Sequence, residues 1–136
     1  MRLSSMADYA IVVMAAASRH CGAARVSAGQ LAEETRLPAP TVQKLVSRLS
    51  GAGLLRSSRG VGGGLKLARP AAAITLADIV EAVEGPIGMT ACVHDGGQEC
   101  TLEEACLVRP HWPGVNEALR GALAQVRLTQ LAEEIS

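Results

Sequence analysis

From Ser27 to Leu67 the chain carries two short apolar periodicities, a proline-rich interruption between them, and then an alternating segment built around glycine. Ser27 is placed to cap a helix over 28–35, in which Leu31 and Ala32 face inward. Arg36-Leu37-Pro38-Ala39-Pro40 breaks that pattern. Beyond it Thr41 is the predicted cap of a further helix, with Pro40 just outside and Val42, Leu45, Val46 and Leu49 recurring at helical spacing. The other face of this helix carries Gln43, Lys44, Ser47 and Arg48, and Gly51 and Gly53 stop it. Two helices joined by a short turn, the second basic and polar on its outer face, predict a helix-turn-helix.

Residues 54–68 then alternate around a glycine-rich tip, the pattern of a β-hairpin, and a hairpin in this position is a wing. The glycines do not make a phosphate loop. A Walker motif requires Lys followed by Ser or Thr at the start of a helix, whereas Lys66 precedes Leu67 in a strand. Ahead of this unit, Ser5 and Asp8 are spaced as a capping box for a first helix with Ala7, Ala10, Ile11, Met14 and Ala15 on its apolar side, ending near His20-Cys21-Gly22. After it, Thr75 and Asp78 form a second capping box for a helix over 76–84, which Gly85-Pro86 terminates. Residues 87–113 lack periodicity and read as a long irregular loop of the kind usually explained by function or a bound ion. A last helix is predicted over about 114–135, with Val115, Leu119, Leu123, Val126, Leu131 and Ile135 as its stripe. So long a helix in a small domain has few partners of its own, so it is expected to pack against its counterpart in a homodimer.

The expected fold is therefore mainly α: a winged helix-turn-helix DNA-binding domain over 1–70 with a small hairpin wing, then a cysteine-containing sensing loop and a long C-terminal dimerisation helix over 71–136. Composition agrees. An apolar fraction of 49% excludes wholesale disorder. Phe is absent and Tyr9 and Trp112 are the sole Tyr and Trp, which suits closely packed aliphatic helices and disfavours recognition of single strands by stacked rings. No run reaches the roughly 18 apolar residues of a membrane span, and the early acid in Met6-Ala7-Asp8-Tyr9 argues against a signal peptide, so a cytoplasmic location with no membrane partner is expected.

The formal charge is zero, but it divides unevenly. Residues 1–70 hold ten basic and three acidic side chains, a balance of +7, and residues 71–136 hold three basic and ten acidic, a balance of −7. The basic half coincides with the helix-turn-helix and wing, which points to double-stranded DNA. Gln43, Lys44, Ser47 and Arg48 are the candidate contacts to base edges and phosphates, and Arg59 beside Gly60 is placed to enter a minor groove. Arg2, Ser27 and Thr41 complete the candidate DNA-binding set.

In a reducing compartment the four cysteines read as thiolates, not as a disulfide framework. Cys21 stands apart, while Cys92, Cys100 and Cys106 share the irregular polar segment in a C-x7-C-x5-C spacing, with His94, Asp95 and His111 nearby. Structural zinc sites usually use cysteine pairs two to four residues apart, and none occurs here; three wider-spaced thiolates with a non-cysteine fourth ligand suit an iron-sulfur cluster. A zinc-stabilised or thiol-switch protein without a cluster is the competing reading. No hydrolase, kinase or dinucleotide signature is present, so an enzyme is not expected.

Met1-Arg2-Leu3-Ser4, Tyr9-Ala10, Arg59-Gly60-Val61-Gly62-Gly63-Gly64, Ala77-Asp78-Ile79 with Glu84-Gly85, and the three-cysteine loop closing on Trp112 span nearly the whole chain. Together they resemble the Rrf-type winged helix-turn-helix transcriptional regulators, the IscR- and NsrR-like family. Gly85-Pro86-Ile87, Cys106-Leu107-Val108-Arg109 and His111-Trp112 look most like the branch that regulates the SUF iron-sulfur assembly operon. The resemblance implies a homodimeric repressor of iron-sulfur assembly genes, with a [2Fe-2S] or [4Fe-4S] cluster on Cys92, Cys100 and Cys106. It also implies nitric-oxide or redox sensing as the alternative within the family. IscR-like members carry a histidine three residues after the last cysteine, but here that position is Arg109, which stays protonated and cannot ligate. NsrR-like members take an aspartate from the first helix of the partner subunit, and Asp8 stands at that position, leaving Asp8, His94, His111 or a small exogenous group as the fourth ligand. Gln43 replaces a glutamate of the IscR-like recognition helix, which shifts expected contacts toward adenine.

Overall fold

The structure, a computed structural model, describes residues 3–20, 25–58, 63–88 and 109–132. Its order is α1 (Ser5–Arg19), α2 (Ala28–Thr35), α3 (Ala39–Gly51), β1 (Leu55–Ser58), β2 (Gly64–Leu67), α4 (Leu76–Glu84), α5 (Trp112–Ala124) and α6 (Leu128–Ala132), with short 3-10 turns before α4 and α5. The mainly helical fold with one small sheet is as the sequence predicts.

Helix α1 is the centre of the molecule. Ala7, Ala10, Val13, Met14, Ala15, Ala16 and Ala17 are all buried, and the many alanines let α4, α6, α2 and α3 approach its axis closely. Its cap is Ser4, whose hydroxyl accepts from the Ala7 amide at 3.1 Å, not Ser5 as the capping-box spacing implied. The helix therefore begins one residue earlier, and the Asp8 side chain has no role in the cap. Leu31 from α2, Val42, Leu45 and Leu49 from α3, Leu54 and Leu65 around the hairpin, and Ile74, Ile79 and Leu128 complete one core cluster. Residues on both sides of Pro70 thus share the same interior.

Helix α2 has the predicted capping box, with Ser27 and Gln30 exchanging bonds of 3.0 and 2.8 Å, and it closes on Arg36 in the left-handed conformation (φ 59°). Helix α3 starts earlier than predicted. Pro38 is its N-cap with no side-chain bond, Pro40 lies inside the first turn, and Thr41 is a residue of the helix instead of its cap. Proline is tolerated there because the first-turn amides have no intrahelical acceptor to lose.

The hairpin pairs Leu55 with Leu67, Arg56 with Lys66, Ser57 with Leu65 and Ser58 with Gly64. A single bridge adds Val26 to the far side of β2, its amide bonding the Leu65 carbonyl at 3.2 Å and its carbonyl accepting from the Leu65 amide at 2.7 Å. Gly64 makes that approach possible. Its φ is +149°, and a Cβ there would lie 2.9 Å from the Val26 carbonyl oxygen and 3.1 Å from the Arg25 Cβ.

Helix α4 has the predicted Thr75–Asp78 capping box and buries Ala77, Ile79, Val80 and Val83. The predicted last helix is divided. Helix α5 begins at Trp112, ends at Ala124, and gives way at 125–127 to a stretch that pairs with the residues ahead of α4: the Leu76 amide bonds the Val126 carbonyl at 2.8 Å and the Leu128 amide bonds the Ile74 carbonyl at 2.8 Å. This break turns α6 back onto α1, where Leu128 is fully buried. No described helix is long and apolar enough to cross a membrane.

Candidate functional site

Helix α3 lies across the core with Val42, Leu45 and Leu49 beneath it, so residues 43, 44, 47 and 48 are forced outward. Gln43, Lys44, Ser47 and Arg48 are all exposed, giving one face an amide, an ammonium, a hydroxyl and a guanidinium. Ser27 is exposed at the start of α2, with its hydroxyl oxygen occupied by the Gln30 amide and its proton still available to a phosphate. Thr41 is half-buried in the first turn of α3, where no side chain caps the amides. Arg48 differs from its neighbours. One guanidinium nitrogen donates to the Val83 carbonyl at 2.9 Å, tying the recognition helix to the end of α4. Nothing in the sequence signals this bond, because its acceptor is a backbone atom 35 residues away. The wing-tip candidates Arg59 and Gly60, and Arg2 at the N-terminus, lie outside the described residues.

The three cysteines Cys92, Cys100 and Cys106, and His94, also lie outside the described residues, within 89–108. The entry to that segment is fixed. The Ile87 amide donates to Glu81 Oε2 at 3.1 Å and the Ile87 carbonyl accepts from Asn116 Nδ2 at 2.8 Å. Among the described residues Asn116, set one turn into α5, is the buried polar side chain, and Arg120 one turn later bonds Glu81 Oε1 through Nε at 3.0 Å. The Glu81 hydrogen bond and charge push the Arg120 guanidinium further above its ordinary pKa, so this clamp keeps its positive member at every ordinary pH. Spacing could have hinted at Asn116 and Arg120, which share a helix face, but not at their targets, the Ile87 carbonyl for Asn116 and Glu81 for Arg120. Asp8 is exposed and bonds no other side chain among the described residues; His111 is exposed at the start of α5. Among the described residues no group of His, Cys, Asp and Glu is arranged to hold a metal ion.

A short turn joining α2 to α3, a polar and basic outer face on α3, and a hairpin extended by the Val26 bridge define a winged helix-turn-helix, the architecture of DNA-binding regulators. The chain belongs to the Rrf2 family, whose model, described as an iron-dependent transcriptional regulator, matches residues 3–134. It is 30% identical over 131 residues to the HTH-type transcriptional regulator IscR of Escherichia coli K12, covering 96% of this chain and 80% of that one. Its fold matches CymR (YrzC), the global cysteine regulator of B. subtilis, with a TM-score of 0.75, 27% identity, and 97% and 96% of the two chains covered. It also matches T. potens IscR with a TM-score of 0.73 at 25% identity, covering 96% and 85%. This is a family of DNA-binding transcriptional regulators, not of enzymes.

Proposed function

We propose that this protein is a homodimeric repressor of iron-sulfur assembly genes, in which residues 1–70 read DNA and residues 71–136 sense an iron-sulfur cluster and dimerise. The observation that carries the reading is three thiols, Cys92, Cys100 and Cys106, in a single segment of an Rrf2-family chain, with the entry to that segment clamped between α4 and α5. Three thiolates and one oxygen or nitrogen donor suit a [2Fe-2S] or [4Fe-4S] cluster, whose chemistry is to gain, lose or exchange iron and electrons in response to the cell. Asp8 is the proposed fourth ligand: its carboxylate is exposed and unused in capping, whereas Arg109 cannot ligate. His111, His94 or an exogenous group would replace it if Asp8→Ala leaves the spectrum unchanged.

On the DNA side, Gln43 and Ser47 read base edges, Lys44 and Ser27 bind phosphates, Arg48 and Thr41 support the docking of α3, and Arg59, Gly60 and Arg2 follow the adjacent backbone and minor groove. Dimerisation falls to α5. Val115 is 43% exposed, Leu119 and Leu123 are half-buried, and the helix buries no apolar side chain within the monomer, so its outer stripe is suited to a second copy. The cluster shifts DNA affinity only through its preference for one arrangement of the heads over another.

Anaerobically purified protein should show a visible absorption band that Cys92→Ala, Cys100→Ala and Cys106→Ala each abolish; a band that survives all three refutes the cluster assignment. A second reading is a thiol switch without a cluster, favoured by the likeness to Staphylococcus aureus CymR, whose structure is also known in an oxidized form. Colourless anaerobic protein whose DNA binding changes on thiol oxidation would establish it instead.

A further inference from the structure

Away from α2 and α3, a concave cleft of about 590 Å³ opens at the root of the wing, between the end of α1 and the hairpin. Its floor is aliphatic, from Ala17, Leu65, Leu67 and Pro70, and its rim carries Arg25, Arg56, Lys66 and Arg69. No carboxylate among the described residues lines it. Three features bring these cations together. The hairpin register sets Arg56 directly opposite Lys66, a cross-strand pair of like charge that destabilises a sheet unless a counter-charge lies between. The Val26 bridge places Arg25 against Gly64, and one Arg25 nitrogen is anchored on the Ser58 hydroxyl, which orients the fork. Arg69 meets Asp78 only at 3.8 Å with both side chains partly solvated, too loose a pair to neutralise it. His20, also at the cleft, is taken up by Glu34 at 2.6 Å.

We infer that the wing root is a binding site for a phosphate-bearing anion, held by Arg25, Arg56, Lys66 and Arg69. Arginine forks match phosphate oxygens in pairs, and a half-enclosed cleft with an apolar floor strengthens each charge-assisted bond. The anion comes either from the backbone of the DNA flanking the recognition helix or from a free polyphosphate. The first source rests on the DNA-binding reading above; the second does not.

The full-length protein should be titrated with inorganic pyrophosphate by calorimetry, and its affinity for a random-sequence duplex measured against salt. The charge-neutral pair R56Q/K66Q, with R25Q as a second variant, is compared with wild type after matching far-ultraviolet circular dichroism. If the source is DNA, the double variant flattens the salt dependence by about 0.9 in slope for each phosphate lost. If the source is a free anion, the slope is unchanged and the variants weaken pyrophosphate binding by about tenfold or more. Unchanged slope together with no variant-sensitive pyrophosphate binding overturns the site. Lys44→Ala tests the α3 reading separately, so a failure of one is not mistaken for a failure of the other.

Discussion

Replacing Gly64 with alanine should unfold the wing's attachment to the body of the protein at a cost of about 3 to 5 kcal/mol. The added Cβ would stand 2.9 Å from the Val26 carbonyl oxygen, and this neighbour is backbone, unable to swing aside as a side chain would. The oxygen is already held at 2.7 Å by the Leu65 amide, so relief of the clash lengthens or breaks both bonds of the Val26–Leu65 bridge. Two such bonds contribute about 1 kcal/mol each. A φ of +149° adds conformational strain of about 1 to 3 kcal/mol for a residue with a side chain. Urea denaturation followed by circular dichroism reads the loss directly: at an m-value of about 2 kcal/mol/M, the midpoint should fall by roughly 1.5 to 2.5 M with m unchanged. Gly121→Ala is the matched control, since its Cβ would meet nothing within 4 Å inside α5, and it should gain about 0.5 to 1 kcal/mol. A Gly64→Ala loss under about 0.5 kcal/mol, the range of an ordinary surface substitution, would refute the close-approach argument.

Ser27→Ala should cost about 1 kcal/mol of stability by removing the α2 cap, measurable by the same denaturation, and should also weaken DNA binding in a gel shift. Arg36→Gly should raise stability by about 1 kcal/mol, because a left-handed φ of 59° at the end of α2 suits glycine better; a loss would mean that the arginine makes a contact of greater worth. Asn116→Leu should cost about 1 to 3 kcal/mol by stranding the Ile87 carbonyl, and hydrogen exchange at residues 85–88 should accelerate. Lys44→Ala should weaken binding to all duplexes alike and flatten its salt dependence, whereas Gln43→Ala should relax base preference; identical effects would remove the division of labour along α3.

The parts of this fold that were legible in the sequence are those fixed by neighbours in the chain. Ser27 with Gln30 and Thr75 with Asp78 cap helices through bonds three residues apart, and the periodicity of Val42, Leu45 and Leu49 sets which face of α3 is exposed. Two caps differ from the sequence pattern by one to three residues, because the Ser5–Asp8 spacing favours Ser5 over Ser4, and because Pro38 caps α3 without any side-chain bond. The break between α5 and α6 was not legible at all. Residues 114–135 keep an unbroken apolar period, and the interruption comes from backbone pairing of Val126 and Leu128 with Leu76 and Ile74, some 50 residues earlier in the chain. The same holds for the candidate sites. The exposed row on α3 follows from its own periodicity, whereas the Arg48–Val83 bond, the clamp on Ile87 and the gathering of Arg25 with Arg56 and Lys66 depend on contacts between distant segments.

Two of those distant contacts, the Arg48–Val83 bond and the clamp on Ile87, meet at α4. On its apolar side Ile79 and Val83 are part of the interior shared with α3, so α4 cannot shift without disturbing the packing under α3. Its polar side holds the other two elements: Glu81 binds the Ile87 amide and Arg120 of α5, and the Val83 carbonyl receives Arg48 of α3. A strain applied to the chain beyond Ile87 is therefore delivered to the last turn of α4, one residue pair away from the acceptor that positions Arg48. Allosteric couplings are typically about 1 to 3 kcal/mol, and the bond from a charged guanidinium to a partly buried carbonyl lies in the same range. Making or breaking the Arg48–Val83 bond is thus sufficient in size to couple the proposed sensing half to the proposed DNA-reading half. Arg48→Lys keeps the positive charge but loses the planar fork. On the proposed cluster reading, it should therefore bind DNA with near-normal salt dependence while narrowing the difference in affinity between cluster-loaded and cluster-free protein. An unchanged difference in that variant would move the coupling route elsewhere.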